Sequence, residues 1–456
     1  MKLPSIRRLR GYAFDPLLSN RLDTFGINEI TYEIPWEKID YSNGTLRGEY
    51  IEIIDYDPTV NQFYKTINLE DILVLAQNGL DPSESNPMFH QQMIYAVVMT
   101  TIGNFEHALG RKIHWSSRKL DLKNKDNKGK YEEYVNRLRI YPHALTEANA
   151  YYSPQKKALL FGYFRANPND HSNEMPGTLI YTCLSHDIIA HETTHAILDG
   201  LQRNYNNATN PDVLAFHEAF ADIVALFQHF TFPEVLRHQI AKTRGDLSRQ
   251  NLLGELAQQF GISIGHYGSL RSAIGHVDPE TGEWIREIPD PTAYSRTISP
   301  HQRGSILVAA VFEAFISIYN RRTEDLYRIA SNGTGVLAQG ELHPDLVNRL
   351  TEEASKCAKH ILNMCIRAID YCPPVDITFG EYLRAIITAD VDISAEDPFL
   401  YRLAFIEAFK KRGIFPAGIR SLSIESLKYS ELRINDANSK LMSIIGDFLR
   451  VYSNIV

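Results

Sequence analysis

The sequence predicts an α+β fold, with a strand-rich N-terminal part followed by a largely helical C-terminal part. Short runs near the N-terminus alternate polar and apolar residues, as half-buried strands do, and Ile30–Ile34 and Tyr50–Ile54 are the clearest of them. From Ser185 onward, apolar residues recur instead with the period of an α-helix. Hydrophobic residues make up 44% of the 456 residues, which is enough for a sizeable core.

The elements follow one another in a simple order. A helix is predicted over Met88–Leu109, and strands are predicted over Leu138–Tyr141 and Ala158–Phe164. The predicted helices after residue 184 are Ser185–Leu201, Pro211–Phe230, Pro300–Tyr319, Asp345–Ile369, Thr378–Thr388 and Phe399–Lys411. The change in pattern near residue 184 predicts a domain boundary. The predicted parts are a strand-rich extension (1–85), a first domain (86–184), a helical domain (185–413) and a helical tail (414–456).

Composition narrows the class of protein. The formal net charge of −8 provides no electrostatic footprint for nucleic acid. No apolar run reaches the length of a membrane span, since Glu313 interrupts the longest one, Ile306–Tyr319. The basic N-terminus is not followed by the apolar segment of a secretory signal, so we expect a cytoplasmic protein.

The cysteines do not form a recognisable metal motif. The chain has four of them, Cys183, Cys357, Cys365 and Cys372. None belongs to a C-x-x-C pair, so we do not expect a cysteine-based zinc site. Four cysteines in a chain of this length do not make a disulfide scaffold either.

Residues 191–195 read H-E-T-T-H, a spacing that suits a metal ion. On a helix, positions i and i+4 share one face, so His191 and His195 can bind one ion together. Glu192 lies between them and can take a proton from the attacking water without binding the ion. Ser185 is expected to cap this helix and Gly200 to end it. The alternative interpretation is a buried helix whose two histidines are satisfied by ordinary hydrogen bonds.

A third ligand decides between these interpretations, because catalytic zinc has three protein ligands and one open position. Glu218 lies on the next predicted helix, which begins with Asn210 as its cap and Pro211 in its first turn. Asp222 follows four residues later on the same face and can accept a hydrogen bond from one imidazole. Both acids stand in an otherwise apolar helix, where carboxylates without partners are costly. A metal with its histidines supplies those partners.

The remaining histidines carry weaker signals. His301 lies in the first turn of a predicted helix, where it is either a plain polar residue or a hydrogen-bond donor to an oxyanion. His217 is adjacent to Glu218 and therefore points elsewhere on its helix. His186 lies off the metal face, and no motif surrounds His229.

Several ordered blocks of the sequence resemble the thermolysin family of zinc peptidases. Residues 186–200 are similar to that family's active-site helix, and residues 216–223 are similar to the helix of its third ligand. Residues 149–164 resemble its substrate-binding edge strand, residues 268–274 the segment of an arginine that holds substrate, and residues 300–306 the block of its transition-state histidine. The similarity covers about residues 86–413.

The resemblance implies a thermolysin-like two-domain architecture, with the active site in the cleft between the two parts. His301 would then stabilise the oxyanion, and Tyr205 is the nearest match to a second donor. Asn149 and Ala150 would hold the substrate backbone, Arg271 a substrate carbonyl, and Ile188 and Leu270 would line the pocket for the side chain after the scissile bond.

The sequence departs from the family at three positions. Tyr205 aligns only if one residue is deleted. Arg296 stands near the place of the aspartate that orients the family's transition-state histidine. His229 replaces a glutamate of the family's calcium site, and no export signal is visible.

Together these patterns predict a zinc-dependent peptidase that cleaves peptide or protein substrates. The resemblance favours an endopeptidase that prefers a bulky apolar residue after the scissile bond. One alternative is a zinc aminopeptidase, which would need an acidic group for the amine of its substrate. Another is a non-catalytic zinc scaffold that recognises a protein partner, although such a scaffold has no need of Glu192.

Overall fold

The computed structural model describes residues 4–20, 25–121, 130–166, 177–249, 275–277, 284–430 and 443–447. Within these residues, strands dominate the N-terminal half of the chain and helices dominate the C-terminal half. The predicted α+β class and its order along the chain are therefore confirmed.

The strands are short. They are β1 (Ile6–Tyr12), β2 (Glu29–Pro35), β3 (Leu46–Arg47), β4 (Ile51–Ile53), β5 (Tyr56–Asp57), β6 (Gln62–Phe63), β7 (Arg118–Asp121), β8 (Lys130–Glu133), β9 (Leu138–Leu145), β10 (Ala150–Ser153), β11 (Ala158–Arg165), β12 (Leu179–Tyr181), β13 (Gly275–Val277) and β14 (Trp284–Arg286). Six of these strands form the main sheet, in the order β10-β11-β9-β4-β3, with β12 paired to the end of β11.

Parallel and antiparallel pairs are mixed in this sheet. Strand β9 runs parallel to both of its neighbours, β11 and β4, whereas β10 and β3 pair antiparallel at the two ends. Because β4 precedes residue 85 and β9 follows it, the predicted extension and the predicted first domain share one sheet. The four-part division of the chain otherwise stays a prediction.

The helices are α1 (Phe25–Asn28), α2 (Ile72–Ala76), α3 (Pro87–Leu109), α4 (His186–Leu201), α5 (Pro211–His229), α6 (Pro233–Thr243), α7 (Ala293–Arg296), α8 (Pro300–Ala330), α9 (Pro344–Arg367), α10 (Phe379–Ile393), α11 (Tyr401–Lys411) and α12 (Ile424–Leu427). Helix α3 is buried along most of its length and packs against the β1–β2 ribbon, the main sheet, α4 and α9. Helix α5 packs between α4 and α8. This packing holds α4 and α5 side by side.

Helix α8 is longer than the sequence pattern predicts. It continues from Tyr319 to Ala330, because the residues after the apolar run are mostly good helix formers. Its length and composition alone would suffice to cross a membrane, but 83% of its most apolar window is buried inside the protein. Helices α5 and α6, bent by 84°, would pass the same test only as a pair. Buried core helices pass it as readily.

The two ends of α4 differ from their predicted chemistry. Ser185 occupies the N-cap position, but its side chain forms no capping hydrogen bond. Gly200 lies inside the helix, which ends at Leu201. A glycine is needed at position 200 because an added Cβ atom would overlap the backbone carbonyl oxygen of His114.

Candidate metal centre

Helices α4 and α5 bring the three predicted ligands together. The Glu218 Oε2 atom lies 3.6 Å from His191 Nε2 and 3.7 Å from His195 Nε2. One donor atom from each of the three residues lies within 4.8 Å of the other two. Helix α5 begins as predicted, with the Asn210 side chain accepting from the backbone N–H of Asp212 and with Pro211 in the first turn. This capping fixes the register that turns Glu218 toward α4.

Each imidazole is oriented by a partner on α5. His191 Nδ1 lies 2.8 Å from Asp222 Oδ1, so the ring donates to the carboxylate and turns its Nε2 atom toward Glu218. His195 Nδ1 lies 2.6 Å from His217 Nδ1. This contact turns the Nε2 atom of His195 toward Glu218 as well. Asp222 therefore supports His191 in the predicted way, and His217 supports His195, a contact that the sequence did not suggest.

The charges of the site are strongly coupled. Burial alone would lower the pKa of His191, but hydrogen bonds with Asp222 and Glu218 outweigh it and raise this pKa to about 10. Burial alone would raise the pKa of Glu218, but His195 and His191 hold it well below its usual value. Burial, with His195 nearby, lowers the pKa of His217 to about 3. A neutral His217 can accept the proton that His195 donates.

Glu192 lies beside the three ligands and is fixed by the main sheet. Its Oε2 atom accepts a 2.7 Å hydrogen bond from the backbone N–H of Tyr152 in β10. Glu192 is 3% exposed and is not one of the three residues, His191, His195 and Glu218, whose donor atoms lie together. A carboxylate in this position can accept a proton from a water held at the site.

Strand β10 lies at an edge of the main sheet, since within the described residues it pairs only with β11. The carbonyl of Asn149 faces inward and accepts from Gly162 N–H at 2.9 Å. The N–H of Tyr152 faces the opposite side, toward Glu192. Peptide groups alternate in direction along a strand, so those of Ala150 face the same open side as those of Tyr152. Ala150 is thus better placed than Asn149 to pair with an extended peptide.

His301 lies at the rim of the site. It is in the first turn of α8, its side chain is 37% exposed, and its Nδ1 atom lies 3.8 Å from Glu218 Oε2. A partly exposed imidazole at this position can reach a molecule that is bound next to Glu218.

Two predicted site residues are placed elsewhere. Tyr205 is fully buried, and its hydroxyl donates a 2.5 Å hydrogen bond to the carbonyl of Pro373, so it does not serve as an oxyanion donor. Ile188 is 1% exposed and belongs to the hydrophobic core of the described residues. Arg271 and Leu270 lie outside the described residues.

Asp199, which lies on α4 two turns beyond His191, was not singled out from the sequence. This buried carboxylate accepts from the Tyr152 hydroxyl, from Lys157 Nζ and from Asn206 Nδ2, each at 2.6 Å. It ties the β10–β11 hairpin to the helix of the ligands. Its spacing of four residues from His195 could have suggested the shared helix face, but not the lysine that it meets.

The donor set suits a transition metal. Two imidazoles and a carboxylate leave room for a further ligand, as in catalytic zinc sites, whereas calcium and magnesium prefer sites made of oxygen. No protein-family model matches the sequence, and no curated protein is significantly similar to it.

Proposed function

We propose that this protein is a zinc-dependent peptidase with a thermolysin-like architecture, and that His191, His195 and Glu218 hold the metal. The observation that carries the proposal is the convergence of the two imidazoles on Glu218 Oε2, next to a second glutamate, Glu192, that a backbone N–H of β10 holds in place. A site for metal storage or a structural site would not need Glu192 beside an open position.

Each residue of the site has its own role in the proposed peptide hydrolysis. When bound, zinc would polarise the scissile carbonyl and acidify the attacking water. Glu192, oriented by the N–H of Tyr152, accepts the proton of that water and delivers it to the leaving amine. His301 donates to the oxyanion from the end of α8. Because Tyr205 is buried in the core, we assign His301 as the side chain that donates to the oxyanion.

The substrate is proposed to bind as an added strand along the open side of β10. Main-chain hydrogen bonds to Ala150 would then align the scissile bond with Glu192. Such bonds do not depend on most of the substrate's side chains. The preference for a bulky apolar residue after the scissile bond rests on the family resemblance, as do the roles of Arg271 and Leu270.

Metal content and hydrolysis, measured together, test the proposal. Wild-type protein should contain zinc by elemental analysis and should hydrolyse an unfolded protein such as casein. Glu192→Gln should keep the metal and lose the hydrolysis, because the amide cannot accept the proton. Glu407→Gln, the same change at an exposed position of α11, is the matched control and should retain both.

Two results would overturn the proposal. Glu192→Gln with wild-type activity would remove the catalytic base. Stoichiometric zinc in both His191→Ala and Glu218→Ala would remove the ligand assignment. A protein that holds zinc at this site but cleaves no peptide would be the scaffold of the alternative interpretation.

A further inference from the structure

A second cluster of metal-ligating side chains lies away from the proposed active site. It consists of His90 on α3, His143 on β9 and Cys183 in the short turn (Thr182–Leu184) that leads into α4. All three residues are buried, with exposures of 1%, 2% and 0%. One donor atom from each lies within 4.8 Å of the other two.

In each imidazole of this cluster, the inner ring nitrogen faces the other imidazole and the outer ring nitrogen faces a hydrogen-bond acceptor. His143 Nδ1 lies 2.6 Å from Asp55 Oδ1, and His90 Nε2 lies 3.0 Å from the backbone carbonyl of Glu84. A carbonyl can only accept a hydrogen bond, and so can an ionised carboxylate. Each outer nitrogen must therefore carry its proton, which is the arrangement usual for histidines that bind a metal.

The inner nitrogens then face each other in an unfavourable way. His90 Nδ1 and His143 Nε2 are 2.8 Å apart. With both outer nitrogens protonated, two neutral rings would direct lone pairs at one another across this gap. Something positive must lie between them, and it is either an additional proton or a metal ion.

The cysteine distinguishes these two occupants. An additional proton would form an imidazolium paired with the Asp55 carboxylate, and it would not engage the Cys183 sulfur, which lies within 4.8 Å of both imidazoles. A divalent ion would engage all three donors, and with the Cys183 thiolate and the Asp55 carboxylate it also sums to zero net charge, which favours burial. Imidazole and thiolate together favour zinc and similar transition metals over magnesium or calcium.

We propose that His90, His143 and Cys183 form a second site for zinc or a similar divalent transition metal. The ion would link helix α3, strand β9 and the turn before α4, three segments that are distant in sequence. It would thereby fix the start of the helix that carries His191 and His195. This proposal does not depend on peptidase activity.

Sulfur ligation gives the proposal its own experimental signal, because the first site contains no sulfur. Cobalt-loaded wild-type protein should show a thiolate-to-cobalt charge-transfer band in the near ultraviolet. X-ray absorption of the zinc-loaded protein should show a sulfur neighbour at about 2.3 Å from zinc. Wild-type protein should hold about two metal ions, one for each site.

Three variants assign the signal to its residues. Cys183→Ser should lose the band and one metal equivalent while it keeps the other metal. His191→Ala should lose the other equivalent and keep the band. Cys365→Ser, which changes another fully buried thiol, is the control and should retain the band and both metals.

The proposal fails if metal-loaded wild-type protein shows no sulfur ligand by either spectroscopy, and this outcome needs no variant to fold. It also fails if folded Cys183→Ser keeps the band. Loss of both metals in His191→Ala with the sulfur signal present in wild type would contradict the independence of the two sites. Loss of peptidase activity alone would bear on the first site only.

Discussion

The histidines of the candidate metal centre differ in what supports them. His191 donates to a carboxylate, Asp222, whereas His195 pairs with a second imidazole, His217. A carboxylate makes its imidazole a stronger ligand than a neutral ring does, because it stabilises positive charge on the histidine. His217 Nε2 has no hydrogen-bond partner among the described residues, so this support also carries an unsatisfied polar atom.

Asp222→Ala is expected to weaken zinc binding by about 10- to 100-fold, because His191 loses the acceptor that orients it. Asp222→Asn, which keeps an oxygen acceptor, should lose less. Competition with a zinc chelator measures the affinity, and Asp325→Ala at an exposed position is the control. If Asp222→Ala bound zinc as tightly as the control, His191 would not need Asp222 to hold its orientation.

His301→Ala is expected to lower turnover by about 100- to 1,000-fold, the effect of removing one oxyanion donor. The zinc content should not change, because the three ligands remain. Steady-state kinetics on an internally quenched peptide give kcat and KM separately, and the loss should appear in kcat. His114→Ala, at an exposed position, is the matched control. Unchanged turnover would return His301 to the plain polar role considered for it from the sequence.

At the scale of secondary-structure elements, the junction between β10 and α4 decides the geometry of the site. Asp199 anchors this junction through three hydrogen bonds, and its partner Lys157 is itself buried. Glu192, two turns before Asp199 on α4, also connects the helix to β10, because it accepts a hydrogen bond from the N–H of Tyr152. The edge strand and Glu192 are therefore held together by this hydrogen bond.

Asp199→Asn is expected to reduce the free energy of unfolding by about 3 kcal/mol, because it leaves the Lys157 ammonium buried without an anion. Denaturant unfolding followed by circular dichroism measures the loss. The double variant Asp199→Asn with Lys157→Met should recover most of it, since no charge then remains to be desolvated. If the double variant were no more stable than Asp199→Asn, the loss would come from the other hydrogen bonds and not from the ion pair.

Local patterns were enough to predict most elements that surround the site. The spacing of His191 and His195 depends only on the helical repeat, and Asn210 with Pro211 fixes the start of α5. Contacts between distant segments were not predictable in the same way. The Tyr205 hydroxyl donates to the carbonyl of Pro373, which lies 168 residues later in the sequence. His90, His143 and Cys183 are likewise too far apart in the sequence to form a recognisable motif. A cysteine ligand that is brought to its partners only by the fold would not appear as a C-x-x-C pair in the sequence.

At the scale of the whole molecule, the main sheet and the helical layer meet at the proposed site. Strand β10 ends the sheet on that side, and α4 and α5 carry the ligands beside it. The first 85 residues take part in this arrangement, since β4 and β3 complete the sheet and the β1–β2 ribbon covers α3. Both proposed metal sites contact this scaffold, one between α4 and α5 and the other at the turn before α4.

An open edge strand predicts that cleavage does not require a free N-terminus in the substrate. A peptide paired along β10 would be recognised by its backbone, and its chain could continue past Glu192 in both directions. Acetylated and unacetylated forms of one internally quenched peptide should therefore be cleaved with similar kcat/KM. Mass spectrometry of the products should locate the cut at an internal bond, and by the family resemblance before leucine, isoleucine or phenylalanine. An aminopeptidase would instead release single residues from the free peptide and leave the acetylated one intact, because it has to bind the substrate amine. That result would leave the proposed metal site and the role of Glu192 unchanged, but it would show that the substrate site along β10 is closed at one end.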